Sequence, residues 1–145
     1  MVEVTFYDNV EDSLLKFAVI IAKNQGKWVL CKHKDRDTYE VPGGHREEDE
    51  DILSTAKREL YEETGALDYD IVPICVYSVK GNTRSGEVLK AESFGMLYYA
   101  SIRSFERELH SEIEKIIITD LLPNEWTYPL IQPKLIEEAI RRDVL

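Results

Sequence analysis

The sequence predicts an α+β fold layered on a mixed β-sheet, and three observations carry that expectation. Strand-like apolar runs outnumber helical ones. They do not alternate with helices as repeated βαβ units would. The two segments with helical apolar spacing stand far apart, one near the middle of the chain and one near its end.

Taken in order, "MVEVTFYDNVEDS" is an acidic lead with no apolar segment of signal-peptide length. Leu14 to Ala22 reads as a buried strand, since it is nearly continuously apolar and bounded by turn residues. "KNQG" turns the chain, and residues 27–33, "KWVLCKH", form its hairpin partner. "KDRDTYEVPGGHREEDED" contains the breakers Pro42-Gly43-Gly44 and is expected to be mostly loop. A helix follows from about Asp51 to Thr64, with Gly65 as its stop. Residues 70–79, 93–102 and 114–119 read as strands, the first two joined by a loop of low apolar content. Residues 133–142, "PKLIEEAIRR", form an amphipathic helix with Pro133 at its start and two arginines at its end.

The 145 residues suit one domain, 1–145, with its own core. Acidic residues number 28 against 18 basic, a formal charge of −10. That balance disfavours duplex DNA and anionic membranes, which ask for a basic footprint. A small phosphorylated ligand remains compatible if a cation stands between its phosphates and the carboxylates. The longest apolar run, Phe17 to Ala22, is too short for a bilayer. Cys31 and Cys75 have no ligand-like spacing, so buried reduced thiols and a cytoplasmic location are expected.

The most informative stretch is "RELYEETGA", residues 58–66. Glu59, Glu62 and Glu63 fall at i, i+3 and i+4 of the central helix, a spacing at which like charges repel. At about 100° per residue, Ile52, Leu53, Ala56 and Leu60 make an apolar arc, and Glu63 falls inside its edge with Glu59 beside it. Acids paired with neighbours such as Arg58 would also suit a solvated face. At the border of a core, where repulsion is less screened, adjacent carboxylates instead favour a hard divalent cation with oxygen ligands.

Upstream spacing sharpens this. Gly44, five residues, Glu50, seven residues, Arg58-Glu59-Leu60, one residue, Glu62-Glu63, one residue, Gly65-Ala66 resembles the Nudix box, G-x5-E-x7-R-E-U-x-E-E-x-G-U, where U is a bulky aliphatic. The departure is Ala66 at the last aliphatic position, a packing site next to Leu67. The resemblance implies an α/β/α sandwich around a mixed sheet. It also implies cleavage of a nucleoside diphosphate linked to another moiety with Mg2+ (or Mn2+), and a monomer or homodimer. Carried over, Glu59, Glu62 and Glu63 ligate metal with a backbone carbonyl of Gly43 or Gly44, and Glu59 is a candidate general base. Arg58 and Glu50 pair to brace the loop against the helix. Many family members add a glutamate from a loop before a late strand. "LHSEIEK" offers Glu112 and Glu114, and the following "LLP" favours Glu112 as ligand or base.

Lys32, Lys34 and Arg36, just before the Gly-Gly loop, are candidate phosphate holders, each also readable as solvated charge. Gln132, at the start of the last helix, is a candidate reader of the base. His33, His45 and His110 have no ligand spacing and are expected at the surface; Trp28 is expected in the core. "DRDTYEVPGG" and the small build resemble the mutator-type branch, implying pyrophosphohydrolysis of a nucleoside triphosphate such as an oxidised purine nucleotide. Nucleotide-sugars, dinucleoside polyphosphates and RNA 5′ ends are rival substrates. A non-catalytic nucleotide-sensing module is the rival from another class. A calcium-binding or structural acidic protein lacks its D-x-D-x-D-G loop.

Overall fold

A computed structural model describes residues 2–82, 88–107 and 113–145. Among them, seven strands form one sheet and two α-helices cover it. The strands are β1 (Glu3–Tyr7), β2 (Leu15–Asn24), β3 (Lys27–His33), β4 (Gly43–His45), β5 (Ala66–Asn82), β6 (Val88–Phe105) and β7 (Ile113–Thr119). The helices are α1 (Ile52–Thr64) and α2 (Gln132–Arg141). The strand order is β1-β5-β6-β2-β3-β7, with β4 also paired to β2. All these pairings are antiparallel except β2 with β6, which makes the sheet mixed.

Strand alternation sorts the core into two layers. Ala18, Ile20 and Ala22 of β2 pack with Ala56 and Leu60 of α1. Val19 and Ile21 face the other way, onto Leu135, Ile136 and Ala139 of α2. The result is the expected α/β/α sandwich, with one helix on each face. Cys31 and Cys75 are buried free thiols. Among the described residues, no helix is long and apolar enough to cross a membrane.

Four departures from the expected elements have local causes. The acidic lead contains β1, because Val4 and Phe6 alternate onto the α2-side core while its backbone pairs with β5. The Gly-Gly loop contains β4, because Gly43 and Gly44 can lie flat against Val19 and Ala18. β5 and β6 run beyond 70–79 and 93–102, since their polar ends still complete an antiparallel ladder from Ala66↔Phe105 to Asn82↔Val88. On α1, Leu53 is exposed, and Thr55 occupies the fully buried place beside Ala56. The helix ends follow ordinary capping: Asp51 accepts from the Ser54 N–H at 2.7 Å, and Gly65 adopts φ 74°.

α2 carries its own charge lock. Glu138, nearly buried, accepts from Arg141 Nε (2.9 Å) and Arg142 Nε (2.7 Å). The Arg141 guanidinium first, and Arg142 after it, hold the Glu138 carboxyl down at about 2. A carboxyl depressed on folding stabilises the protein above its unfolded value and loses that contribution as pH falls toward its folded value. Glu138→Gln is therefore expected to lower the Tm at pH 7 by a few degrees, as a loss of about 1 kcal/mol would. Thermal scans from pH 7 to about 2 should show the gap from wild type persisting above roughly pH 4.5 and closing below it.

Candidate active site

The seat is built where three local structures meet: the end of β3 with the loop after it, the Gly-Gly strand β4, and the flank of α1. β4 is held against β2 by pairing of Gly43 with Val19 and Gly44 with Ala18, and Ile20 N donates to Pro42 O at 2.9 Å. α1 packs on the same strand and brings its acids to the glycines.

Glu63 is 8% exposed, and its Oε1 accepts from the Gly43 N–H at 2.8 Å. Glu59 lies so close over Gly44 that a Cβ there would stand 2.1 Å from Glu59 Oε2. Burial, then the charge of Glu63, pushes the Glu59 carboxyl up to about 7. Burial also raises Glu63, against the opposing effect of His33 and the Gly43 N–H. Glu62 is the most open of the three. Two crowded, half-desolvated carboxylates and a third beside them, with no room for a Cβ at Gly44, make a donor set that fits a hard divalent cation.

Arg58 balances the acids. Its Nε donates to Glu50 Oε2 (2.7 Å), its Nη1 to Glu59 Oε2 (3.0 Å) and Glu62 Oε1 (2.8 Å), and its Nη2 to the His45 carbonyl (3.0 Å). Glu50 also accepts from Thr55 Oγ1 (2.7 Å) and the Glu47 N–H (3.1 Å). Arg58, with Thr55 and Glu47 behind it, draws the Glu50 carboxyl down to about 2. These bonds make a tie between the loop and the helix. Thr55, which the wheel left out, is part of it. Its signal was its position five residues after Glu50, toward the loop rather than the solvent.

The flanking candidates divide. Arg36 Nη1 pairs with Glu40 Oε2 at 3.1 Å, while Lys34 is exposed and Lys32 Nζ lies 3.5 Å from the His33 carbonyl. Gln132 is buried and its Oε1 accepts from the Val41 N–H at 2.9 Å, which fastens the loop to α2. Glu112 and His110 lie outside the described residues. Trp28 packs against the α2-side core, with Lys23 Nζ 4.3 Å above its ring.

His33 departs from the expected surface position. Its Nε2 stands 3.0 Å from Glu40 Oε1 and 3.3 Å from Glu63 Oε2. The bond to Glu63 is the main cause that raises its pKa, against burial. Glu40 is itself 6% exposed. Sequence spacing gave no sign of this group, because its members come from three separate elements. The one available signal was Glu40 itself, an acid immediately before Val41-Pro42-Gly43-Gly44.

Comparison with known proteins places the chain in a family. The model of the NUDIX domain matches residues 13–126. The candidate 8-oxo-dGTP diphosphatase YtkD of Bacillus subtilis (strain 168) is 33% identical over 107 residues, covering 74% of this chain and 63% of that protein. An RNA pyrophosphohydrolase of Bartonella henselae is 32% identical over 97 residues, covering 52% of this chain and 56% of its own. The chain thus spans less than two thirds of either relative. A mutant form of the Bacillus subtilis pyrophosphohydrolase BsRppH superposes with a TM-score of 0.76 at 25% identity, over 97% of this chain and 90% of that one.

Proposed function

Because the chain belongs to the Nudix hydrolase family, we propose that it hydrolyses a diphosphate linkage in a nucleoside triphosphate, with an oxidised purine nucleotide as the first candidate and Mg2+ or Mn2+ as the metal. The observation that carries this reading is the convergence of Glu59 and Glu63 on the Gly43-Gly44 strand, with Glu62 beside them and Arg58 paired to Glu59 and Glu62.

A divalent cation bound there supplies charge neutralisation at the phosphoryl oxygens and lowers the pKa of an attacking water. The residues do the rest. Glu63, pinned on Oε1 by the Gly43 N–H, would hold the cation with its remaining lone pairs. Glu59 takes the proton as the water oxygen bonds to phosphorus and the anhydride P–O bond breaks. Glu112 is the second candidate for that proton. Lys32, Lys34 and Arg36, which precede the Gly-Gly strand in the chain, are the candidate phosphate holders, Arg36 already bearing on Glu40.

Hydrolysis of an RNA 5′ end is the second reading, favoured by the Bartonella henselae relative and by the superposition on BsRppH. One panel separates them: 8-oxo-dGTP, dGTP, 5′-triphosphorylated RNA, a dinucleoside polyphosphate and a nucleotide-sugar, each with Mg2+, followed by product analysis. Fastest turnover of 8-oxo-dGTP supports the first reading, and fastest release from RNA the second. Nucleotide binding with no turnover of any substrate would replace both by a sensing module.

The metal seat is tested without substrate. Mg2+ at about 100 times its Kd should stabilise the chelator-treated protein by about 2.7 kcal/mol, a rise of roughly 5–10 °C in Tm. No shift and no heat of binding would remove the seat.

A further inference from the structure

Two buried carboxylates from distant parts of the chain, Glu40 and Glu63, face the same imidazole nitrogen. The ligand atoms of His33, Glu40 and Glu63 all lie within 4.8 Å of one another. Glu40 is fixed before it meets His33. Its backbone exchanges hydrogen bonds with Cys31 (Cys31 N to Glu40 O 2.9 Å, Glu40 N to Cys31 O 3.0 Å), and its outer oxygen is held by Arg36. His33 ends β3 at a register shift, where Lys32 faces Lys115 but His33 faces Ile113. Such irregularities re-aim side chains, and they gather beside active sites.

From this chain of contacts we infer that His33 and Glu40, neither of them in the box, act as a positioning pair that fixes the carboxylate of Glu63 toward the bound cation. The inference rests on the metal-seat reading above. Glu63 is approached on both oxygens: Oε1 accepts from the Gly43 N–H at 2.8 Å and Oε2 stands 3.3 Å from His33 Nε2. A carboxylate offers about four lone-pair directions, so these two contacts leave the others free and aimed. Without the imidazole, the Glu40 and Glu63 carboxyls would lose the group that stands between them, and Glu63 would be free to turn from its direction. Loss of a group that orients a metal ligand typically costs about 10–100-fold in metal affinity.

The test titrates the intact protein with Mn2+ alone and reads binding by calorimetry, with thermal melts alongside. His33→Ala and Glu40→Gln are each expected to weaken Mn2+ binding by about 10–100-fold. The double variant should be no weaker than the worse single one, since both act through one contact chain. His33→Gln, which keeps a side-chain N–H of similar reach, should restore part of the affinity and guards against a folding failure in the alanine variant. Wild-type or tighter Mn2+ binding in folded His33→Ala or His33→Gln, with Glu40→Gln also unchanged, would overturn the positioning role. A loss in both His33 variants as deep as that of Glu63→Gln would also overturn it, because His33 would then be a ligand itself. If wild type binds no Mn2+, the seat itself falls and the pair falls with it, a result distinguishable from both others.

Discussion

Glu59→Gln is expected to lower kcat by about 10²–10⁴-fold while leaving the fold intact. The side chain is 15% exposed, lies over Gly44 and meets Arg58 Nη1 at 3.0 Å. Glutamine keeps its shape, and Arg58 retains Glu50 and Glu62 as partners. What is lost is a negative charge held next to that of Glu63, so the metal-free protein should be no less stable than wild type. KM should move far less than kcat, because the proton acceptor matters most once the anhydride is breaking. Lys57→Gln, exposed on the same helix, should stay close to wild type. Near-normal turnover of Glu59→Gln at saturating metal would move the base elsewhere, with Glu112 the first residue to examine.

The second large effect separates two adjacent glycines. Gly44→Ala places a methyl 2.1 Å from Glu59 Oε2 and 2.3 Å from its carboxyl carbon. The obstacle is the far end of a flexible side chain, so it can swing aside at little cost in stability. It then leaves its place in the seat, and a displacement of about 1 Å costs on the order of 10²-fold in rate. Gly43→Ala meets backbone instead, 2.6 Å from the Ala18 carbonyl and 3.0 Å from the Val19 Cα. There the β2–β4 pairing must shift, costing about 1–3 kcal/mol. The expected pattern is about 10²-fold slower but stable for Gly44→Ala, and clearly destabilised for Gly43→Ala, read from kcat and Tm together. Equal melting losses in the two variants would contradict it.

Much of this was legible beforehand where one short-range rule sufficed. The two helices, their glycine and proline punctuation, and the central strands follow from periodicity and breakers. The border position of Glu59 and Glu63 follows from the wheel. β1 was hidden because five residues with mixed polarity form a strand only when β5 supplies a ladder. β4 was hidden because a Gly-Gly pair reads as a loop until Val19 and Ala18 are seen beneath it. His33 and Glu40 were illegible for a different reason: their meeting with Glu63 depends on a register shift in one pair of strands and on how α1 lies against the sheet. Spacing along the chain records neither.

The parallel pairing of β2 with β6 bears on how the molecule forms. Leu15 lies opposite Phe94, so the ladder at the centre of the sheet joins segments on either side of α1 and the β5 strand. Contacts this distant in sequence require closure of long loops before they gain anything, and topologies rich in them fold in milliseconds to seconds. The local β2–β3 hairpin and the β5–β6 ladder can form early, whereas the bed on which α1 and β4 rest is complete only after the distant strands have docked. Cation capture is then a late event in folding. Stopped-flow refolding with and without Mg2+ should give the same folding rate, with the cation's effect confined to slower unfolding.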